Sequence, residues 1–235
     1  MNEFLEFARG PLFRFSFGVL CLGLLRLIIL TVINGLEAKS KAVDKRLPMQ
    51  YVNKLTWGFV LPIRAFRVRP IFAIVSIVFH MGLLITPIFL FDHSLLFERS
   101  VGFSLINFSL SKSVADVLAV ITVIAALGLL LIRVINKNSR FISRKQDFLW
   151  LILLIIPFIT GIVCAQFTIS GETYNYFMLM HILSGCLIFI LIPFTKIAHC
   201  VLLPFGQWIT ARVWKFQPNA GEDVWVTLGK QGEKL

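Results

Sequence analysis

Five long apolar stretches set the pattern of the chain, at about 13–33, 71–91, 114–135, 148–167 and 176–201, with polar or basic segments between them. Each reaches the roughly 20 residues that an α-helix needs to cross a hydrocarbon core. The expected fold is all-α: one five-helix transmembrane domain over residues 1–206 and a short cytoplasmic tail over 207–235. The first stretch is too long for a signal-peptide core. Its flank, MNEFLEFARG, mixes acidic with basic residues, and no small-x-small cleavage site follows, so it reads as a retained helix.

Composition strengthens that reading. Hydrophobic residues make up 57% of the 235 and the mean hydropathy is +0.84, whereas soluble domains are about 45–50% apolar. The formal net charge is +11, but its distribution speaks for topology and against nucleic acid. The first, third and last polar segments hold 17 basic residues, among them Arg64, Arg67, Arg69, Arg133, Lys137, Arg140, Arg144 and Lys145. The alternate segments hold four: Arg9, Arg14, Arg99 and Lys112. That asymmetry predicts an outside N-terminus and a cytoplasmic C-terminus. The four cysteines, Cys21, Cys164, Cys186 and Cys200, lie in or beside apolar stretches without CxxC or CxxCH spacing, so they read as packing residues.

Candidate chemistry sits inside the spans. Arg26 interrupts the first, where it either snorkels or meets an anion. The basic loop after it contains amphipathic pieces, with Trp57, Phe59 and Phe66 placed for a membrane interface or a docking surface. The whole histidine complement is four, His80, His93, His181 and His199, all on the second and fifth stretches. On one straight helix the eighteen residues from His181 to His199 make five turns and about 27 Å, almost the full hydrocarbon thickness. Gly82 and Gly185 lie close to His80 and His181 and would admit a flat macrocycle. Lys196 could neutralise a propionate. Because the two stretches run antiparallel, His80 pairs with His199 on the cytoplasmic side and His93 with His181 on the outer side. Zinc or copper wants ligands clustered at one site. Four imidazoles split between two depths suit two b-type haems, and two axial imidazoles per iron favour electron transfer.

The segments FHMGLLITPIFLFDH (79–93) and MHILSGCLIFILIPFTKIAHCVLLPFG (180–206) resemble cytochrome b subunits of the respiratory nitrate reductase gamma-subunit superfamily. The nearest likeness is to the branch found in sulfate-reducer transmembrane redox complexes and heterodisulfide-reductase-like, menaquinol-oxidising complexes. The motifs cover about forty residues, the helix layout most of the chain. The resemblance implies two bis-histidine haems b in a bacterial or archaeal cytoplasmic (inner) membrane. It further implies menaquinone as exchangeable substrate, a cytoplasmic iron–sulfur subunit and a periplasmic multihaem cytochrome c as partners. His80, His181 and His199 match its ligand positions. The nitrate reductase form has its second ligand ten residues after the first, where this chain has Leu90; His93 stands thirteen on. Along a straight helix that offset is about 220° beyond three turns, a different face, unless a kink at Pro87 corrects it.

No nucleophile triad or phosphate-binding loop accompanies these residues, so the expected role is the electron-carrying subunit of an oxidoreductase. Asp92, Arg99, Asp116 and Glu172, toward the outer surface, are either proton acceptors for quinol chemistry or solvated interfacial charges. The rival readings are a monohaem cytochrome using His80 and His199, and a haem-free anchor or assembly subunit. The chain shows no internal repeat of the kind expected of a transporter.

Overall fold

A computed structural model describes residues 2–41, 63–102 and 104–213, with isolated positions between 50 and 58 and between 226 and 229. The described residues are almost entirely helical and form no strand, apart from one isolated bridge between Leu90 and Leu110. In chain order the helices are α1 (Asn2–Phe7), α2 (Phe13–Lys41), α3 (Ile63–Val68), α4 (Pro70–Phe89), α5 (Phe91–Val101), α6 (Lys112–Ile135), α7 (Lys137–Ile142), α8 (Lys145–Gln166), α9 (Gly171–Leu191) and α10 (His199–Val213). Five helices are long and apolar enough to cross a membrane: Asn2–Glu37, Pro70–Phe89, Lys112–Ile135, Lys145–Gln166 and Gly171–Phe194. Residues 207–213 of the tail continue α10, most of the rest of the tail and Phe59 of the basic loop lie outside the described residues, and Trp57 is exposed.

The first span begins earlier than its apolar run. Helix extends back to Asn2 through a π-helical turn at Ala8–Leu12, which holds Pro11. Proline has no N–H for the α-helical ladder, and a wider turn absorbs the missing bond without ending the helix. Other boundaries follow local chemistry. Pro70 opens α4, where its missing N–H costs nothing. Gly102, at φ 75°, closes α5 in the left-handed conformation. Asn136 caps α7 by accepting from the Ser139 N–H at 3.1 Å.

The described residues fall into two compact units: residues 1–22 with 64–195, and residues 23–63 with 196–235. In the first, α4 packs on α6, α6 on α8, α8 on α9, and the N-terminal turns on α9. Phe79 of α4, Ala125, Ala126 and Leu129 of α6, and Leu151 and Ile155 of α8 form its core. Lipid supplies no hydrophobic drive between helices, so close contact between small residues must do so. Gly82 shows this: a Cβ there would overlap the buried Thr122 side chain. It is therefore a helix-packing glycine, not the macrocycle neighbour that its place beside His80 suggests. Thr122 and Thr160 return their hydroxyls to the carbonyls of Leu118 (2.6 Å) and Ile156 (2.9 Å), as polar groups inside a bilayer must. The outer surface is apolar, with Ile71 and Leu22 each at least 70% exposed. The second unit comprises the rest of α2, a 3₁₀ turn at Lys196–Ala198, and α10.

Candidate functional site: a histidine pair between helix ends

The last carbonyls of a helix have no partner within it. At the end of α4 they are taken up one by one. Thr86 O accepts from Leu90 N at 3.1 Å and Phe89 O from Leu110 N at 2.8 Å. Pro87 O accepts from His93 Nδ1 at 3.0 Å. The chain reaches that geometry by leaving the helix at Leu90 (φ −66°, ψ 131°) and starting α5 at once. The helix thus passes through Pro87 and breaks three residues beyond it. His93 belongs to a new helix, and the 220° offset computed along a straight one does not apply.

His181 lies midway along α9, and its Nδ1 donates to Pro157 O of α8 at 2.8 Å. A mid-helix carbonyl is normally shielded by the side chain four residues on, and here that residue is Gly161. A Cβ at Gly161 would stand 3.0 Å from His181 Cε1 and 3.1 Å from Nδ1. Thr160 Oγ1 lies 3.5 Å from the same nitrogen. Pro157, Thr160 and Gly161 thus form the seat of the ring. Nothing else in the apolar run 148–167 marks it as a site; its one signal is the Pro-x-x-x-Gly spacing, which exposes one carbonyl on one face.

The two rings come together in the first unit, with centroids 5.7 Å apart and planes inclined by 22°. A carbonyl can only accept, so Nδ1 of each ring carries the proton and, in the neutral ring, Nε2 carries the lone pair. Metal–imidazole bonds of about 2 Å on either side of one ion place ring centres about 6 Å apart. The pair therefore has the tautomer and the backbone hydrogen bonds that metal-bound imidazoles use, and a centroid separation close to that of two imidazoles on one ion.

Around it the surroundings are apolar. Phe97, one turn after His93, meets Phe13 and Phe17 at 5.6 and 5.4 Å. Phe189, two turns after His181, meets the same two rings at 6.1 and 6.2 Å. Between His181 and Phe189 on that face lies Gly185, where a Cβ would meet nothing within 4 Å, leaving the room expected beside it. Ser94, next to His93, is 0% exposed and its hydroxyl has no partner.

The other two histidines repeat the hydrogen-bond pattern. His80 Nδ1 donates to Ser76 O and His199 Nδ1 to Lys196 O, each at 2.7 Å. They belong to different compact units, His80 to the first and His199 to the second. His199 does not continue the helix of His181. α9 ends at Leu191, 3₁₀ turns follow around Pro193 and Lys196–Ala198, and His199 is the first residue of α10. The eighteen-residue, five-turn register is thereby corrected, because proline cannot continue the ladder.

Of the remaining candidates, Arg26, Asp92, Arg99, Glu172 and Lys196 are exposed. Asp116 accepts a hydrogen bond from the Gln166 amide. Among the described residues no three His, Cys, Asp or Glu side chains converge as a metal cluster.

No family model matches the chain, and no solved structure matches it. It is 31% identical over 202 residues to a protein of Nitratidesulfovibrio vulgaris (strain Hildenborough), an alignment covering 83% of this chain and 87% of that one. The chain belongs to the same family as that protein, whose printed name, "Protein", carries no activity.

Proposed function

We propose that this chain is a dihaem b membrane subunit of a respiratory redox complex, passing electrons between menaquinone and partner iron–sulfur or cytochrome c subunits. The observation that carries the proposal is the His93–His181 pair: two rings 5.7 Å apart, each with Nδ1 committed to a backbone carbonyl. A pair with no third His, Cys, Asp or Glu ligand among the described residues suits a metal whose remaining positions are already filled, as in haem. When bound, haem b supplies a one-electron couple at its iron.

The rest is the work of the chain. His93 and His181 would hold the iron and leave it no open coordination position, which would favour electron transfer over oxygen chemistry. The carbonyls of Pro87 and Pro157 hold each ring in one tautomer and raise the basicity of Nε2. Phe13, Phe17, Phe97 and Phe189 form an aromatic cluster one to two turns along α5 and α9 from the pair. His80 and His199 are assigned the second haem by the resemblance of residues 79–93 and 180–206. The charge asymmetry supports an orientation with His93 and His181 toward the outside and His80 and His199 toward the cytoplasm, and the bacterial or archaeal cytoplasmic membrane rests on the resemblance. The choice of menaquinone and of the partner subunits rests on the resemblance of residues 79–93 and 180–206 to nitrate reductase gamma-type cytochromes b.

Haem counted per polypeptide by pyridine haemochrome tests the reading. Two haems b support it, one reduces it to a monohaem cytochrome, and none leaves a haem-free anchor.

A further inference from the structure

The turn between α6 and α8 combines two properties that do not belong together in water. Phe141 is 89% exposed, Ile135 76% and Ile142 75%, and Ile71 at the start of α4 is 72% exposed. Interleaved with them are Arg69, Lys137, Arg140, Arg144 and Lys145, all exposed. The one acidic residue of this turn is engaged elsewhere: Asp147 pairs with Arg133 at 3.9 Å and accepts from the Arg144 N–H at 2.8 Å. Arg133 itself lies over the Phe148 ring, 5.8 Å from its centre. None of the five exposed cations has an acidic partner among the described residues. The surface is also tied in place. Arg69 donates to Ser139 Oγ at 3.4 Å, joining the start of α4 to α7, and Asn136 caps α7. Arg140 donates to Val134 O at 3.3 Å, taking up a carbonyl of the last turn of α6.

We infer that this turn is a binding surface for anionic phospholipid. Three spans end here, at Pro70, Ile135 and Lys145, which sets the turn at the depth of the headgroups. There Phe141, Ile142 and Ile71 bury themselves among acyl chains while the cations meet phosphates. An acidic protein surface would satisfy the cations but leave three large apolar side chains against a polar partner. An anionic lipid satisfies both at once. The inference is independent of haem.

The test uses the full chain in dodecyl maltoside, offered equal amounts of phosphatidylglycerol and phosphatidylcholine, with retained lipids counted by native mass spectrometry. Wild type should hold phosphatidylglycerol in preference, and the preference should shrink as salt rises from about 0.05 M to about 0.5 M. A triple variant, Lys137→Gln, Arg140→Gln and Arg144→Gln, should weaken phosphatidylglycerol binding about 100-fold, at about fivefold for each cation. Phe141→Ser, which leaves every charge in place, should weaken retention of both lipids. Helical circular dichroism establishes that each variant is folded. Equal retention of the two lipids by wild type, or an unchanged preference in the folded triple variant, overturns the inference. So does charge-dependent capture of a poly-glutamate peptide without lipid discrimination, which assigns the surface to an acidic protein.

Discussion

Replacing Gly161 with alanine tests the seat of His181 with a single methyl group. The new carbon would stand 3.0 Å from Cε1 and 3.1 Å from Nδ1, against about 3.5–4.0 Å for a relaxed contact. The ring must retreat by at least about 0.5 Å, and in doing so it stretches its 2.8 Å bond to Pro157 O. Overpacking of this size costs about 1–3 kcal/mol of stability, too little to unfold the bundle. The hydrogen bond contributes about 0.5–1.5 kcal/mol, and it favours the oxidised metal by making Nε2 a better donor. Its weakening should raise the midpoint potential of one haem by about 20–60 mV, since a tenfold change in a one-electron equilibrium is about 59 mV. Optical redox titration with low-temperature EPR reads that shift, and the second haem serves as the internal control. If wild type carries two haems and Gly161→Ala leaves both potentials within about 10 mV, the seat has no influence on the ligand. If wild type carries none, the haem assignment fails and the seat is untouched by that result.

His93→Ala and His181→Ala should each take the haem content from two to one per chain and remove the same absorption band; removal of different bands refutes the pairing. His80→Ala and His199→Ala should each remove the other band, and either variant retaining both refutes the assigned second site. Gly82→Ala should lower the thermal midpoint by an amount corresponding to about 1–3 kcal/mol, since its Cβ would overlap Thr122, and should leave both haem spectra unchanged. A shifted spectrum would return Gly82 to the cofactor's neighbourhood. With a membrane-impermeant maleimide on intact cells, Ser170→Cys should label and Ser139→Cys should label only after permeabilisation. The reverse pattern would invert the proposed topology.

The architecture was legible because a bilayer simplifies the code. Five runs of apolar residues predict five spans, and the described residues hold five helices long and apolar enough to cross a membrane. Lost in the one-dimensional reading were the places where helices stop. Pro87 and Pro193 were both visible, but proline says only that a ladder bond is missing, not where the chain turns. At Pro87 the helix goes on to Phe89; at Pro193 it has already ended at Leu191. Registers counted across those points, thirteen residues in one case and eighteen in the other, therefore failed. The role of Gly161 was hidden for a different reason. Its function is to leave a carbonyl of its own helix open to a residue of another, and no spacing within α8 announces which residue that is.

The four histidines meet carbonyls of two kinds, and the difference bears on how each ring is held. His93 and His199 lie at helix boundaries, where Pro87 O belongs to the unsatisfied last turn of α4 and Lys196 O to the 3₁₀ turn before α10. His80 and His181 lie within helices, where carbonyls already accept a ladder bond and can take a second only on an exposed lone pair. His80 reaches Ser76 O on its own helix, so the contact is local and moves with α4. His181 reaches from α9 to a mid-helix carbonyl of α8, and it does so only because residue 161 has no side chain. Its ring is thus positioned by the packing of α8 on α9, whereas His93 is positioned by the break between α4 and α5. The pair joins two independently supported rings, so a change in either support should alter one axial ligand and leave the other in place.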